Sequence, residues 1–157
     1  MSPAVSTYRY GSPRRDGEGL RLGVARHVPR GVRREDQQRG GYFDQWLPLL
    51  APSADLVAAY RRHKMPFASF ASRYKKQMER GDSRRLVQLL ATISLFVPIS
   101  IGCYCDDENL CHRSVLQKLI LKEALEKAEE FALLRKGGQA EILRYASPVC
   151  LRDFEER

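Results

Sequence analysis

The amino end of the chain, MSPAVSTYRYGSPRR, lacks the apolar core that a secretory leader needs. The sequence shows no internal repeat and no low-complexity segment. It carries neither a helix-turn-helix signature nor an RNP sequence, so no recognised nucleic-acid module is present. Acidic residues are the minority sign, 19 against 27 lysines and arginines, which leaves a formal charge of +8 and a sequence pI near 9.6. Cysteine is sparse, with four in 157 residues. Without a leader the expected compartment is the cytoplasm, where those four are reduced thiols.

One uncharged run of 20 residues, Leu86 to Cys105, has the length of a membrane span. Gln88, Thr92, Ser94 and Ser100 dilute it, and Pro98 with Gly102 divides it into a helix-sized and a strand-sized piece. The run reads as a buried helix leading into a buried strand, with no membrane contact. At 43% hydrophobic and 29% charged residues the composition is that of a folding globular chain. A chain of this length suits one domain, 1–157, that buries roughly two-thirds of its unfolded surface. The positive field would gather anions, and nucleic acid, nucleotides and acidic lipid all qualify. Arg far exceeds Lys, however, so an Arg-rich proteome would produce the same excess with no target at all.

Element types alternate along the chain. AVSTYRY reads as a first strand and GSPRRDGEG as a loop. In LRLGVARHV, Leu20, Leu22 and Val24 recur at the strand period. Residues 30–41 form a charged surface loop. From Tyr42 the spacing turns helical, with Phe43, Trp46, Leu47 and Leu50 on one face before Pro52 stops the run. Ser53 is placed to cap a helix over ADLVAAYRRHK. A further helix covers FASFASRYKKQMERG, packing through Phe67, Phe70 and Tyr74, and another covers RRLVQLLATISLF. The strand ISIGCYC follows, and then a long helix runs from near Asn109 to Gly137 and Gly138, its stop signals. The tail 139–157 holds one possible short strand around Cys150. The expected fold is α/β: a small, mostly parallel sheet of three to four strands flanked by about five helices in a single domain.

The segments YRYGSP, GLRLGVARHVPRGV, WLPLLAPSADL and FASRYKKQM, in that order and followed by a strand and a helix, resemble the YeaO-like proteins. These are small bacterial proteins carrying a domain of unknown function. The resemblance covers roughly residues 6 to 120. Its most specific parts are Pro29-Arg30-Gly31 and Trp46-Leu47 with Ala51-Pro52-Ser53. The chain departs from the family pattern at Ala25, where Asp is usual, and at Val28, where Trp is usual. Cys111-His112-Arg113 is similar to a triplet at a helix start in the broader branch of the superfamily. The resemblance implies a compact α/β fold and brings no established activity.

The stretch from Ile99 to Leu116, ISIGCYCDDENLCHRSVL, is where chemistry concentrates. A regular strand would put Cys103 and Cys105 on one face with Cα atoms roughly 6.5 to 7 Å apart. That is wide for a disulfide and for two thiolates on one tetrahedral metal. At a helix start, Cys111 and His112 would diverge by about 100°. Zinc ligands prefer two to four intervening residues, so neither a metal nor another cofactor is expected. A thiol near a helix start and an Arg has a lowered pKa, which makes Cys105, then Cys111, with His112 as partner, the candidate catalytic residues. Asp106, Asp107 and Glu108 oppose a thiolate there.

An anion pocket is the favoured reading. Ligands in open parallel sheets bind beyond the carboxyl ends of the strands. Arg26, His27 and Arg30 leave the second strand, and His112 and Arg113 open the helix after the last strand. If those strands are parallel neighbours, Arg26, Arg30, His112 and Arg113 converge on one crevice for a small phosphorylated or carboxylated ligand. Pairing of Arg113 with Asp106, Asp107 or Glu108 would instead make it a cap on the loop. The competing reading is a nucleic-acid-binding accessory protein. The segment 60–85 is strongly basic, with Arg61, Arg62, Lys75 and Lys76 facing a phosphate backbone and Phe67, Phe70 and Tyr74 interleaved. The oligomeric state stays open.

Overall fold

Every residue of the strand Ile99–Cys103 is buried, and its sequence, ISIGC, shows how two different environments are served. Ile99 and Ile101 join a large apolar core, whereas Ser100 and Gly102 alternate with them on the opposite face. The structure, a computed structural model, describes residues 2–33, 35–62 and 65–137. Its sheet contains β1 (Val5–Arg9), β2 (Leu20–Gly23), β3 (Gln45–Trp46) and β4 (Ile99–Cys103) in the order β1-β4-β2-β3. All three pairings are parallel, and Ile99 stands opposite both Val5 and Leu20. The last strand among the described residues therefore lies between the first two, which makes β2 and β4 the parallel neighbours that a shared crevice requires.

Four substantial helices follow the expected order: α2 (Ala54–Arg62), α3 (Phe67–Met78), α4 (Gly81–Ile93) and α5 (His112–Gly137). A single turn, α1 (Asp36–Arg39), interrupts the charged stretch 30–41. Ser53 caps α2 as its sequence suggests, its Oγ accepting from the Leu56 N–H at 3.2 Å. Leu56, Phe70, Tyr74, Met78, Val87 and Leu90 pack with Leu116 and Ile120 of α5 and with Leu22, Ile99 and Ile101 of the sheet into one cluster. The helices thus share one face of the sheet. Each fully buried Leu or Ile contributes about 1.5 to 3 kcal/mol there. Among the described residues no helix is long and apolar enough to cross a membrane.

The fifth expected helix, over Tyr42 to Leu50, does not form. Asp44 N–H donates to Arg21 O at 2.9 Å and Leu47 N–H to Gly23 O at 2.8 Å, so this segment adds an edge strand to β2. Pro48 has no amide hydrogen to continue a helix and opens only a short 3-10 turn, Pro48–Leu50. The apolar spacing at Phe43, Trp46 and Leu50 serves three separate neighbours instead of one helical face. The possible strand around Cys150 lies outside the described residues.

The second face of the sheet is covered by loops. Gly23 and Gly102 pair in register, and a Cβ on Gly102 would come within 2.2 Å of the Tyr8 ring, one on Gly23 within 2.5 Å of the Tyr10 hydroxyl. The two tyrosines occupy the space that these glycines leave. Beside them Arg21, 0% exposed, uses all five of its N–H bonds. It donates to Glu18 Oε2 at 2.8 and 3.2 Å, to Ser12 O and Gly41 O at 2.8 Å, and to Pro13 O at 2.9 Å. Its guanidinium also lies 4.4 Å from the centre of the Tyr8 ring. Burial alone would raise the pKa of the Glu18 carboxyl, but the Arg15 N–H and the Arg21 guanidinium outweigh it and hold the carboxyl below its ordinary value.

Because the folded carboxyl is the stronger acid, its stabilising contribution is complete above the ordinary value of 4.5 and fades as pH falls through the folded-state value. Thermal melts should show Tm dropping between about pH 5 and pH 3, and Glu18→Gln should flatten that drop. Arg21→Ala strands a buried carboxylate and should cost about 3 to 5 kcal/mol in denaturant unfolding near neutral pH. A loss below about 1 kcal/mol would show that the loops hold without it.

Candidate functional site

β2 and β4 release their chains side by side at their carboxyl ends, and a cavity of about 550 Å³ opens there against α2. From β2 come Ala25, Arg26 and His27, and from β4 come Cys103, Tyr104 and Cys105. The loop after β4 is tied down locally. Asn109 N–H donates to Asp107 Oδ1 at 2.8 Å and Cys111 N–H to Glu108 O at 3.2 Å. Helix α5 therefore begins at His112, not near Asn109, and its first residue lines the cavity. The walls are apolar, with Pro52, Val57, Ala58, Phe70 and Leu110, while Arg26, His27, Arg61 and Arg62 are the exposed basic lining residues.

Where β4 ends, three thiols and an imidazole come together. Regular strand geometry, which would keep Cys103 and Cys105 apart, stops at Cys103, and their sulfurs lie 3.8 Å from each other. Cys111 and His112 do not diverge either: the Cys111 Sγ is 3.7 Å and the Cys103 Sγ 4.0 Å from His112 Nδ1. The ligand atoms of Cys103, Cys111 and His112 all lie within 4.8 Å of one another. These distances overturn the geometric ground on which the sequence spacing opposes a shared metal. His112 Nε2 is 3.0 Å from the carbonyl oxygen of Val24. A carbonyl only accepts, so Nε2 carries the proton and the Nδ1 lone pair faces the sulfurs. The Tyr74 ring, its centre 5.5 Å from that of the imidazole, closes the side toward the core.

Exposure and charge divide the cluster. Cys103, Cys111 and His112 are buried, whereas Cys105 is exposed and no disulfide joins the three described cysteines. Desolvation lowers the His112 pKa and keeps the ring neutral. Hydrogen bonds from Cys103 and Cys111, with the Arg113 guanidinium nearby, hold Cys105 well below an ordinary thiol. The same contacts, reinforced by burial, push Cys103 and Cys111 upward.

The sequence candidates separate into three groups. Cys105, Cys111, His112 and Arg26 line the cavity, and Arg26 also donates to the Pro52 carbonyl. Arg30 is exposed and stands outside the lining, as does Arg113. The Arg113 guanidinium is buried and donates to the carbonyls of Cys105 at 2.6 Å and Asp106 at 3.4 Å, so it braces the loop backbone. Arg61 and Arg62 belong to the cavity mouth, while Lys75 pairs with Glu79 at 3.9 Å. Phe70 and Tyr74 are buried and stacked in the core, which gives the basic helices charge without those two rings for bases. Tyr8 and Tyr10 lie beneath the other face of the sheet, whereas Tyr104 borders the cavity together with Tyr60 and donates to His27 O at 3.2 Å. The Val24 carbonyl and the Tyr74 ring carry no sequence signal, because both act through packing across more than thirty residues.

Residues 5–124 match the family described as "Active DUF488-N3 subclade". The uncharacterized proteins Rv3073c of Mycobacterium tuberculosis and Mb3100c of Mycobacterium bovis are each 34% identical to the chain over 85 residues, which span 53% of this chain and 67% of the relative. No solved structure matches it.

The burial pattern sets an order of reactivity. In chelator-treated, reduced protein, iodoacetamide should label Cys105 well before Cys103 and Cys111, as followed by peptide mass mapping. Equal labelling of all three would show that the cluster is open to solvent.

Proposed function

The chain belongs to the DUF488 family, the domain of unknown function that includes the YeaO-like proteins, and we propose that it binds a small phosphorylated or carboxylated molecule in the cavity beyond β2 and β4. The carrying observation is the polarity of that cavity along its depth: guanidinium groups at the mouth, apolar walls, and a buried thiol and imidazole cluster at the inner end. A ligand with an anionic group and a flat apolar body, such as a nucleoside monophosphate, fits that gradient. Arg26, Arg61 and Arg62 hold the anion, with bidentate geometry available to each guanidinium. His112 and the thiols form the part of the wall able to act chemically on the bound molecule, so the reading is that of a small enzyme. We propose a cytoplasmic location, the compartment in which sulfurs as close as those of Cys103 and Cys105 stay reduced.

Calorimetric titration of adenosine monophosphate and of inorganic phosphate tests this reading. Arg61→Ala combined with Arg26→Ala should weaken nucleotide binding by at least about a hundredfold, since each hydrogen bond to a charged group contributes about 1.5 to 3 kcal/mol and two guanidinium groups are removed. Arg113→Ala should act through loop stability, visible as a lowered Tm. No measurable binding of either ligand, or unchanged affinity in the double variant, would overturn the assignment.

A further inference from the structure

The four groups at the inner end of the cavity have an arrangement that an anion does not explain. We infer that Cys103, Cys105, Cys111 and His112 bind one thiophilic divalent cation of the zinc class, with Cys105 as the ligand on the cavity side. This goes beyond the anion site and does not require it.

Ligands at about 2.0 to 2.3 Å from a tetrahedral centre lie roughly 3.3 to 3.8 Å from one another. The separations of 3.7, 3.8 and 4.0 Å need only a small contraction to reach that geometry. The imidazole is already in the ligating tautomer. Metal-bound histidines ordinarily donate their second ring N–H to a carbonyl or carboxylate, and the Val24 carbonyl fills that role. Sulfur and imidazole donors select zinc-like ions over magnesium or calcium.

The carboxylates of the neighbouring loop are engaged elsewhere, which argues against a hard-cation site. Asp106 pairs with Arg9 at 2.8 Å, Glu108 accepts from the Thr7 hydroxyl at 2.6 Å, and Asp107 accepts from the Asn109 N–H. Burial is graded across the ligand set. Cys103, Cys111 and His112 are 5%, 1% and 6% exposed, while Cys105 is open to the cavity. Three cysteines and one histidine are a closed ligand set of the structural zinc type, and only loss of Cys105 would leave the three-ligand, open-position arrangement of catalytic zinc.

The test is cobalt titration of the chelator-treated full chain, read by absorbance. Expected is one equivalent of Co²⁺ giving the intense visible bands of a tetrahedral ion and a near-ultraviolet thiolate charge-transfer band, all removed by one equivalent of Zn²⁺. A Cys150→Ser background should leave these bands unchanged. Cys111→Ser should weaken zinc binding by at least about tenfold in a competition with a chelating dye, since loss of even an outer-shell partner typically costs 10- to 100-fold. Should Cys111→Ser fail to fold by circular dichroism, Cys105→Ser, at the exposed position, is the second variant, and a diminished charge-transfer band is expected. Zinc should also shield Cys105 from iodoacetamide. A weak octahedral cobalt spectrum, or no stoichiometric binding, overturns the inference. A charge-transfer band unchanged in Cys105→Ser removes Cys105 from the ligand set and gives its place to water.

Discussion

Arg21 lies where a parallel sheet ordinarily receives a second layer of helices, and its guanidinium gathers the carbonyls of two loops against the bare side of β2 and β4. A parallel sheet needs both faces covered, because its central strands have no solvent side. Here the helices occupy one face, and the other is closed by chain that has no regular structure of its own. A buried charge is tolerated only with a full set of partners. Glu18 supplies the opposite charge and accepts two of the five N–H bonds, and three backbone carbonyls accept the others. With that face closed, Gly23 and Gly102 receive Tyr8 and Tyr10, and β2 and β4 end in register at the cavity.

The cavity inherits its geometry from those two adjacent exits. His112 reaches across from the start of α5 to Val24, one residue beyond β2, while the cysteines come from the end of β4 and the loop that follows it. The imidazole therefore joins three elements, and its protonated nitrogen is the joint. Arg113, next along the helix, holds the carbonyls of Cys105 and Asp106 and keeps the loop from swinging outward. Neighbouring residues of one helical turn thus divide the work between the site and its support.

Much of this is legible in the sequence, and the failures have physical causes. The alternation in LRLGV and the apolar run ISIGC identify the central strands, and Ser53 marks the start of α2. Placing Arg26 and His112 at one crevice follows from a parallel sheet alone. The segment around Trp46 misleads because Phe43, Trp46 and Leu50 are apolar for separate reasons: Phe43 packs with Tyr10, the Trp46 indole reaches Ala25 O, and Leu50 enters the main core. The cysteine spacing misleads because strand rise applies only while the strand lasts, and β4 ends at Cys103. For Arg113, proximity to acids in sequence suggests a side-chain ion pair, whereas the buried guanidinium finds backbone carbonyls, which every sequence has.

The position of β4 between β1 and β2 bears on the order in which the chain acquires its structure. Ser6 meets Ser100 across 94 residues, and Leu22 meets Ile101 across a similar span. During synthesis β1 leaves the ribosome with no neighbour to pair with, and β2 with only the two-residue β3. Helices α2, α3 and α4 then emerge with their apolar faces waiting for a sheet that does not yet exist. Long loop closures of this kind slow folding more than they weaken the finished state. The segment that completes this sheet also delivers Cys103, and Cys105, Cys111 and His112 follow within nine residues, so the site is assembled directly after the sheet closes.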